Sequence, residues 1–437
     1  MEDKNFTTRW GFVLACVGSA VGMANVWGFP FRMGSYGGSA FLIPYIIFVV
    51  LFSYVGLSTE YAIGRMTGTG TLGSYEYVWK KKGFNKISKV IGWIPLAGSF
   101  CIAIGYSVIV AYVLKALVES ITGNLMHVDA GAWFAGFSSQ PYSVVVYHVA
   151  IIVIVSLTLT VGAKSIEKTN KIMMPIFFIL FLVLAIRVLL LDNSLAGYEF
   201  MFRPKFDELL NAEVWIFAMG QAFFSLSITG SGMIVYGSYL QKGEDIIKSS
   251  ENTAFFDTIA ALTSAIVVIP ACFAYGVDLG AGPGLLFETL PTILQDIPFG
   301  RVFAIILFVA VVFGGITSLQ NMIEVCVESI LHKFPKLKRN PVLIVLMTSL
   351  FLISVNMHQI SVWGPWMDLI SIYIIPIGAI IGAASWFWVL DRDELLNEVN
   401  DGAGKKHGKG WHAIGKYVYV PLALILCLVA LFKGISF

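Results

Sequence analysis

Apolar residues along the chain fall into eleven long runs, separated by shorter segments that carry most of the charged residues. A run of about 20 apolar residues is long enough to cross a hydrocarbon core of roughly 30 Å as a helix. Because lipid cannot satisfy backbone hydrogen bonds, we expect the runs to be helical. The predicted spans are residues 10–34, 40–65, 88–120, 143–161, 171–191, 213–240, 252–277, 300–331, 340–357, 363–390 and 415–434.

The composition of the chain agrees with this pattern. Of 437 residues, 57% are hydrophobic and only 13% are charged, whereas soluble globular domains carry roughly 25% charged residues. The formal net charge is only +2, which gives no sign of a nucleic-acid partner. The composition therefore predicts an integral membrane protein that is surrounded by the lipid bilayer. We expect a monomer or weak dimer.

Lysine and arginine are distributed unevenly between the two sides of the predicted spans. If the N-terminus lies inside, 22 of the 29 Lys and Arg residues fall in inside segments, as the positive-inside rule requires. We therefore expect a cytoplasmic N-terminus and, with an odd number of spans, an extracellular or periplasmic C-terminus. The outside loop 121–142 has neither cysteine nor a glycosylation sequon, which favours a bacterial inner membrane as the plasma membrane concerned.

The first apolar run is interrupted by residues that are poor helix formers. Gly18, Gly22 and Gly28 lie within it, together with Asn25 and Pro30. In a helix, glycine is about 1 kcal/mol and proline about 3 kcal/mol less favourable than alanine. Close packing of helices through small residues is one interpretation, and a break in the helix is the other.

The sixth run, 213–240, has the same character. Its centre is rich in small and polar residues, namely Gly220, Gln221, Ser225, Ser227, Thr229, Gly230, Ser231 and Gly232. Each interrupted run opens a block of five runs, and interrupted helices at corresponding positions of two halves mark the binding site of an inverted-repeat transporter. Unwound turns offer carbonyls to a cation and N–H groups to a carboxylate. The pattern predicts a 5+5 repeat with discontinuous helices 1 and 6 and one extra helix.

This interpretation divides the chain into segments. They are a cytoplasmic N-terminal segment (1–9), a first repeat (10–191), an extracellular loop (192–212), a second repeat (213–390), a cytoplasmic loop (391–414) and an eleventh helix with a short extracellular end (415–437).

Three motifs resemble those of one transporter family. The first run contains GSAVGMANVWGFPF followed by YGGSAFLIPY, the sixth WIFAMGQAFFSLSITGSGMIVYGSY and the eighth FGGITSLQNMIEV. In this order they are similar to the motifs of the neurotransmitter:sodium symporter family, and the chain resembles its bacterial eleven-span members, among them tyrosine transporters. The resemblance implies a transporter rather than an enzyme, with an all-α LeuT-like fold. It also implies import of a neutral amino acid with Na⁺ by alternating access.

The resemblance further implies two sodium sites. The first would use the Ala20 carbonyl and the side chains of Asn25, Ser225 and Asp257, completed by the substrate carboxylate. The second would use carbonyls and hydroxyls from two helices, namely those of Gly18, Val21, Gly314, Thr317 and Ser318. Residues 314, 317 and 318 are spaced i, i+3 and i+4 and therefore share one face of a helix.

The substrate backbone is expected between the two interrupted helices. Its ammonium group would meet the carbonyls of Ala20, Phe224 and Ser227. Its carboxylate would meet N–H groups near Met23 and Ala24 and the hydroxyl of Tyr106. Relatives that carry monoamines have Asp where this chain has Gly22, so Gly22 implies a substrate with its own carboxylate.

The resemblance also names side chains that would select the substrate. They are those of Ile102, Tyr106, Phe224, Ser227, Gly230, Ser318 and Met322. Many relatives have a bulky aromatic residue at position 230. Glycine there would enlarge an apolar pocket, so we expect an apolar, aromatic amino acid as the substrate.

Two departures from the family pattern concern the gates. The usual outer-gate arginine is replaced by Gly28, and Arg32, four residues on, could pair instead with Asp368, although Arg32 could equally extend to the interface. The usual cytoplasmic Arg–Asp pair is replaced by Asp3 and His332.

Two buried acids are assigned structural roles. Glu60 would accept hydrogen bonds from the unwound sixth helix, and Glu324 would belong to a polar network.

Asp257 also bears on chloride. Animal members of the family place Cl⁻ near the first sodium ion, and chloride-independent bacterial relatives supply a carboxylate instead. Asp257, with Ala261 one turn on, therefore implies no chloride requirement. Two alternatives remain open at this stage, namely a proton-coupled amino-acid transporter of the same fold and a preference for branched aliphatic substrates.

Overall fold

The computed structural model describes residues 5–277, 279, 282 and 284–435, and these residues form helices and loops without a strand. The principal helices are α1 (Arg9–Ala20), α2 (Ala24–Ser35), α3 (Ser39–Thr67), α4 (Thr71–Lys81), α5 (Trp93–Thr122), α6 (Ala130–Ser138), α7 (Val145–Leu159), α8 (Ala163–Leu189), α9 (Ser194–Phe202), α10 (Ala212–Ser225), α11 (Gly232–Ser238), α12 (Ile246–Tyr275), α13 (Leu290–Asp296), α14 (Gly300–Lys333), α15 (Arg339–Met357), α16 (Ile360–Val389), α17 (Arg392–Asn400) and α18 (Lys409–Lys433).

Eight helices of the described chain are long and apolar enough to cross a bilayer, namely α3, α5, α8, α12, α14, α15, α16 and α18. A ninth span results if α1 and α2, which meet at a bend of 60°, are taken together. The other two predicted runs correspond to the 15-residue helix α7 and to the pair α10 and α11, which residues 226–231 separate. An all-helical membrane protein is confirmed, and the count of eleven stays a prediction.

One predicted boundary is wrong by about two turns. Helix α8 begins at Ala163, whereas the apolar run suggested a start near residue 171. The first turns of α8 carry Lys164, Glu167 and Lys168, which a criterion based on apolar runs excludes. Helix α8 therefore begins in a polar segment about two turns before the apolar run.

Helix α14 lies at the centre of the fold, where it packs against α5, α8 and α1. It is buried along most of its length, which explains its many small and apolar residues. Gly315 permits the close approach to α5, because a Cβ there would lie 2.8 Å from the Val110 side chain. Small residues commonly allow such contacts between membrane helices.

Helices α3 and α11 touch through a reciprocal pair of glycines. A Cβ on Gly64 would lie 2.0 Å from the Ile234 carbonyl oxygen, and one on Gly237 would lie 2.6 Å from the Tyr61 carbonyl oxygen. The two backbones therefore pack directly against each other. This contact fixes the short helix α11, which follows the second break, on the long and continuous α3.

The C-terminal end of α3 is tied to α17 and to the loop after α11 by one buried arginine. Arg65 donates to the Glu398 carboxylate (2.7 Å) and to the carbonyl oxygens of Glu244 (2.6 Å), Glu398 (2.6 Å) and Asp401 (3.1 Å). Its side chain is almost fully buried. The guanidinium has several donors in a rigid plane and suits such a cluster of acceptors. Arg65 thus holds α17 and the loop after α11 against α3.

We expect Arg65→Ala to lower the free energy of unfolding by about 3 kcal/mol. Lys242 still pairs with the Glu398 carboxylate, but the carbonyl oxygens of Glu244 and Glu398 lose their donor, and an unsatisfied buried acceptor costs about 1–3 kcal/mol. The measurement is the thermal unfolding midpoint of the purified protein in detergent. Lys81→Ala is the matched control, since Lys81 pairs with Glu394 at the same side of the protein but is exposed and such pairs add little. Equal midpoints for both variants would contradict the role given to Arg65.

Candidate functional site

The first break lies between α1 and α2, where backbone groups exchange helical partners for side chains. In a continuous helix, the N–H groups of Gly22 and Met23 would bond to the carbonyls four residues earlier. Here Gly22 N–H donates to Asn25 Oδ1 (3.4 Å) and Met23 N–H donates to the Tyr106 hydroxyl (3.0 Å). The carbonyls of Gly18 and Ser19 are therefore free of their usual helical donors.

The second break lies between α10 and α11 and depends on left-handed backbone conformations. Ser227 has a φ angle of 53° and Gly230 has one of 74°. A positive φ is uncommon for residues other than glycine. The two breaks are adjacent, because the Gln221 side chain on α10 donates to the Ala24 carbonyl at the start of α2 (3.1 Å).

A cavity lies between the two breaks and helices α5, α14 and α16. Ten of the eleven predicted substrate residues line it, namely Ala20, Gly22, Met23, Ala24, Ile102, Tyr106, Phe224, Ser227, Ser318 and Met322. Six further lining residues were not predicted, namely Ser19, Ser99, Thr229, Gly232, Asn321 and Ile375. None of these sixteen residues is charged, so the cavity can offer a zwitterion dipoles but no fixed ionic partner.

Gly22 leaves no space for a side chain in the observed backbone conformation. A Cβ there would lie 2.4 Å from the Tyr106 hydroxyl oxygen and 2.6 Å from Ser318 Oγ. An aspartate at this position would therefore displace Tyr106 or Ser318. The geometry supports the expectation that Gly22 keeps the region beside Tyr106 open.

Gly230 does not line the cavity, so the argument that it enlarges the substrate pocket is wrong. A Cβ there would lie 2.6 Å from the Gly378 carbonyl oxygen and 2.7 Å from the Tyr75 hydroxyl. Its N–H donates to Glu60 (2.8 Å), and its carbonyl accepts from Tyr75 (3.1 Å). Glycine is required here by backbone packing and by its positive φ. The bond from Gly230 confirms the predicted role of Glu60.

Asn25, Ser225 and Asp257 form one cluster of oxygens beside the cavity. The Asp257 carboxylate accepts from Asn25 Nδ2 (2.7 Å) and from the Ser225 hydroxyl (2.6 Å). Asp257 is fully buried, and both of these donors are neutral. A charged side chain inside a membrane protein is costly and is normally paired. The cluster therefore has the oxygen chemistry and the negative charge that a hard cation such as Na⁺ requires.

Ser318 is the centre of a second cluster of oxygens. Its hydroxyl lies 3.4 Å from the Gly18 carbonyl oxygen and 3.3 Å from those of Ser19 and Val21. The Thr317 hydroxyl donates to the Gly314 carbonyl on α14 (3.1 Å). The predicted residues of the second sodium site thus lie together. Carbonyl and hydroxyl oxygens of this kind can replace the hydration shell of a cation.

The predicted outer gate is not formed. Arg32 lies beside the Phe217 ring, 5.6 Å from its centroid, whereas Asp368 is exposed on α16. The ion pairs between residues that the structure describes do not include Arg32 with Asp368. Four residues along a helix place Arg32 on the expected face but do not fix the direction of its long side chain.

The predicted positions of the cytoplasmic gate are Asp3 and His332. Asp3 lies outside the described residues. Phe6 is buried, and its N–H donates to the Tyr239 carbonyl (3.0 Å). Nearby, Tyr239 and Arg339 both donate to Glu324, so the predicted polar network around Glu324 is confirmed.

Three of the residues missed by sequence reasoning, namely Ser99, Thr229 and Asn321, form the polar end of the cavity. Ser99 and Thr229 both lie within hydrogen-bond distance of Ser231 Oγ, at 2.7 and 2.9 Å. Asn321 donates to the Gly232 carbonyl (3.2 Å). Two signals could have found them, since Ser99 lies two helical turns before Tyr106 and Asn321 lies one turn after Ser318.

Comparison with known proteins identifies the family. The model of the sodium:neurotransmitter symporter family matches residues 3–141 and 133–436. The chain belongs to this family. An uncharacterized sodium-dependent transporter of Bacillus subtilis, YhdH, is 31% identical, and the match covers 100% of this chain and 99% of the relative. A second uncharacterized sodium-dependent transporter, from Methanocaldococcus jannaschii, is also 31% identical, with 100% and 91% covered.

A solved structure agrees with the fold of this sodium:neurotransmitter symporter. MhsT in complex with L-phenylalanine superposes with a TM-score of 0.87 at 30% sequence identity. The match covers 98% of this chain and 99% of MhsT. The resemblance seen in the three sequence motifs is thereby confirmed, and the protein is a transporter of the LeuT-like type rather than an enzyme.

We expect Gly22→Ala to weaken substrate binding by roughly tenfold or more, because overpacking a filled site costs about 1–3 kcal/mol. The measurement is equilibrium binding of radiolabelled amino acid to the purified symporter in saturating sodium. Gly28→Ala is the matched control, since a Cβ on Gly28 would meet only ordinary contacts at 3.8 and 3.9 Å. Tight binding by Gly22→Ala would show that the space beside Tyr106 is not used by substrate.

Proposed function

We propose that this protein imports a neutral aromatic amino acid together with two Na⁺ ions, by alternating access. The observation that carries the proposal is the pair of oxygen clusters around Asp257 and Ser318, next to an uncharged cavity between two helix breaks. One cluster includes a buried carboxylate, and the other consists of neutral oxygens. The substrate would add its own carboxylate next to the first cluster, where a cation is needed to balance both charges.

The proposed topology has eleven spans. Helix α7 and the broken pair α10 and α11 would add two spans to the eight long helices and the bent pair. Residues 10–191 and 213–390 would then form two inverted repeats of five spans, each of which begins with an interrupted helix. The lysine and arginine distribution supports a cytoplasmic N-terminus, and the loop 121–142, with neither cysteine nor a glycosylation sequon, supports a bacterial inner membrane.

The proposed contacts of the substrate follow from the groups that the breaks expose. The ammonium group would be bound by carbonyls of Ala20, Phe224 and Ser227. The carboxylate would be bound by N–H groups at Met23 and Ala24, with the Tyr106 hydroxyl donating to it. Closure of the outer side would require Arg32 and Asp368, the proposed gate residues, to approach each other.

The first sodium ion would lie with Ala20, Asn25, Ser225 and Asp257, without chloride. Asp257 supplies the negative charge itself. Ala261, one turn along α12, is buried and has no hydroxyl to hold an anion. The second ion would lie with the carbonyls and hydroxyls around Ser318. Each charge that crosses a potential of about 100 mV releases about 2.3 kcal/mol, so two Na⁺ with a zwitterion would drive strong accumulation.

We expect uptake into proteoliposomes to fall to background when external sodium is replaced by potassium or choline. Replacement of chloride by gluconate should leave the initial rate unchanged, because Asp257 provides the counter-charge. Accumulation in potassium driven by a pH gradient would instead support the proton-coupled alternative. A rate that collapses in gluconate would contradict the role of Asp257.

Asp257→Asn should sharply reduce sodium-dependent uptake in the same experiment. Thr258→Val is the matched control. Thr258 is the next residue of α12, and its hydroxyl donates to the Ala254 carbonyl of its own helix (2.8 Å). Comparable losses in both variants would indicate damage to the helix rather than the loss of a charge.

The cavity walls support an aromatic substrate with a polar end. Ile102, Phe224, Met322 and Ile375 line the cavity with apolar surface, and Ser99 belongs to its polar end. The L-phenylalanine bound to MhsT supports the aromatic class. The hydroxyls near Ser99 could bond to a hydroxyl on the substrate ring, and a site with such groups rejects analogues that lack one.

In competition assays with all twenty amino acids, we expect tyrosine to bind more tightly than phenylalanine. Ser99→Ala should reduce this preference by up to about tenfold, since a hydrogen bond contributes about 0.5–1.5 kcal/mol. Ser120→Ala is the control, because Ser120 is buried on the same helix and bonds to the Ala116 carbonyl of that helix. Preference for leucine or isoleucine would support the branched aliphatic alternative, and preference for glutamate or lysine would contradict both.

A further inference from the structure

Two buried amide side chains meet between α8 and α14, close to the cluster around Ser318. Asn170 and Gln320 are both fully buried. Asn170 Nδ2 donates to the Ile166 carbonyl (2.9 Å) and to Gln320 Oε1 (3.0 Å). Asn170 Oδ1 and Gln320 Nε2 have no hydrogen-bond partner among the described residues. Buried polar groups are nearly always satisfied, so an orphaned pair points to a bound water or ion.

The network fixes which end of the Asn170 amide is oxygen. Both acceptors of its NH₂ group, the Ile166 carbonyl and Gln320 Oε1, are oxygens. A flipped Asn170 would place its own oxygen against the Ile166 carbonyl and would lose that bond. The unpaired atom of Asn170 is therefore its oxygen, Oδ1, which is a hydrogen-bond acceptor. Only a hydrogen-bond donor or a cation can satisfy it.

Asn170 Oδ1 lies at the point where α1, α8 and α14 meet. A Cβ built on Gly18 would lie 1.8 Å from Asn170 Oδ1 and 3.0 Å from the Thr317 Cβ. Gly18 and Thr317 are both predicted residues of the second sodium site. The orphaned oxygen thus lies against the backbone of Gly18 and close to the side chain of Thr317.

The contrast with Glu167, one turn earlier on α8, shows that a polar side chain in this interface can be satisfied by protein groups. A Cβ on Gly11 would lie 2.0 Å from Glu167 Oε1, so this side chain also packs directly on α1. Glu167 accepts from Thr7 and Thr8 and pairs with Lys171. Within the described parts of the chain, Asn170 Oδ1 has no comparable donor, which leaves it available to a ligand.

We propose that Asn170 Oδ1 is part of the second sodium site, with Gln320 as the residue that holds the Asn170 amide in position. The proposal rests on the sodium coupling argued above and adds α8 to the two helices that would hold the ion. An amide oxygen suits a hard cation as well as a backbone carbonyl does. Glycine at position 18 is required because any side chain would displace this oxygen.

The test uses the full-length protein, purified in detergent without substrate, so that the first sodium site lacks the substrate carboxylate. Thermal unfolding midpoints are measured over a sodium chloride titration at constant ionic strength, with choline as the replacement. Asn170→Leu should raise the sodium concentration for half-maximal stabilisation by about tenfold, the lower end of the loss seen when a supporting residue of a metal site is removed. Asn170→Asp keeps an oxygen at this position, so the sodium concentration for half-maximal stabilisation should stay at or below the wild-type value.

Two controls make the outcome specific. Thr169→Val changes the neighbouring residue, whose hydroxyl donates to the Ser165 carbonyl of its own helix (2.8 Å). This variant should need the same sodium concentration for half-maximal stabilisation as the wild type. Asn170→Ala replaces the leucine variant if the latter does not fold, as judged by its unfolding midpoint in choline.

The proposal is overturned if Asn170→Leu and the wild type need the same sodium concentration for half-maximal stabilisation, which would indicate that a water satisfies this amide. It is also overturned if Thr169→Val shifts as much as Asn170→Leu, or if Asn170→Asp weakens sodium binding equally. A wild-type protein that sodium does not stabilise would overturn sodium coupling itself, and this inference with it.

Discussion

The structure depends on one constraint, which is that backbone groups released by the two helix breaks must find partners inside the protein, because lipid offers none. The partners come from unbroken helices. The Glu60 carboxylate accepts a hydrogen bond from the Gly230 N–H, and the Tyr75 hydroxyl donates one to the Gly230 carbonyl. The Tyr106 hydroxyl accepts a hydrogen bond from the Met23 N–H. The breaks are thus held open by a rigid scaffold, and the carbonyls that remain without a backbone donor face the cavity and the cluster around Ser318.

The two oxygen clusters differ in charge, and this difference has consequences for coupling. Asp257 places an ionisable carboxylate in one cluster, whereas the groups around Ser318 are neutral dipoles. A substrate carboxylate close to Asp257 would be repelled unless a cation lay between them. Under the proposed function, binding of substrate and of the first ion are therefore linked by electrostatics, and linkage of this kind is reciprocal. The second cluster has no such charge, so its affinity for a cation would depend on how completely its oxygens replace the water of the hydration shell.

The sequence predicted the helices better than it predicted the contacts between them. Apolar runs located the long spans, and clustered glycine and serine located both breaks, since these signals are local. Gly230 was misassigned because its contacts with Gly378 and Tyr75 join distant parts of the chain. Asn321 was missed for the same reason. Thr229 and Asn321 lie within the quoted motifs, whereas Ser99 lies outside them. A family motif therefore does not show which of its residues line the cavity.

Aromatic contacts in front of α1 and a buried ion pair meet at Tyr239. Phe6 packs edge-on against Phe12, Tyr236 and Tyr239, so apolar aromatic surface packs beside α1. Behind it, Arg339 and Tyr239 satisfy the buried Glu324 carboxylate, which would otherwise be an uncompensated charge. The aromatic contacts join the segment before α1 to α11, whereas the ion pair joins α14 to α15. Movement of α1 would therefore break aromatic contacts and the backbone bond of Phe6, and it would leave the Glu324–Arg339 ion pair intact.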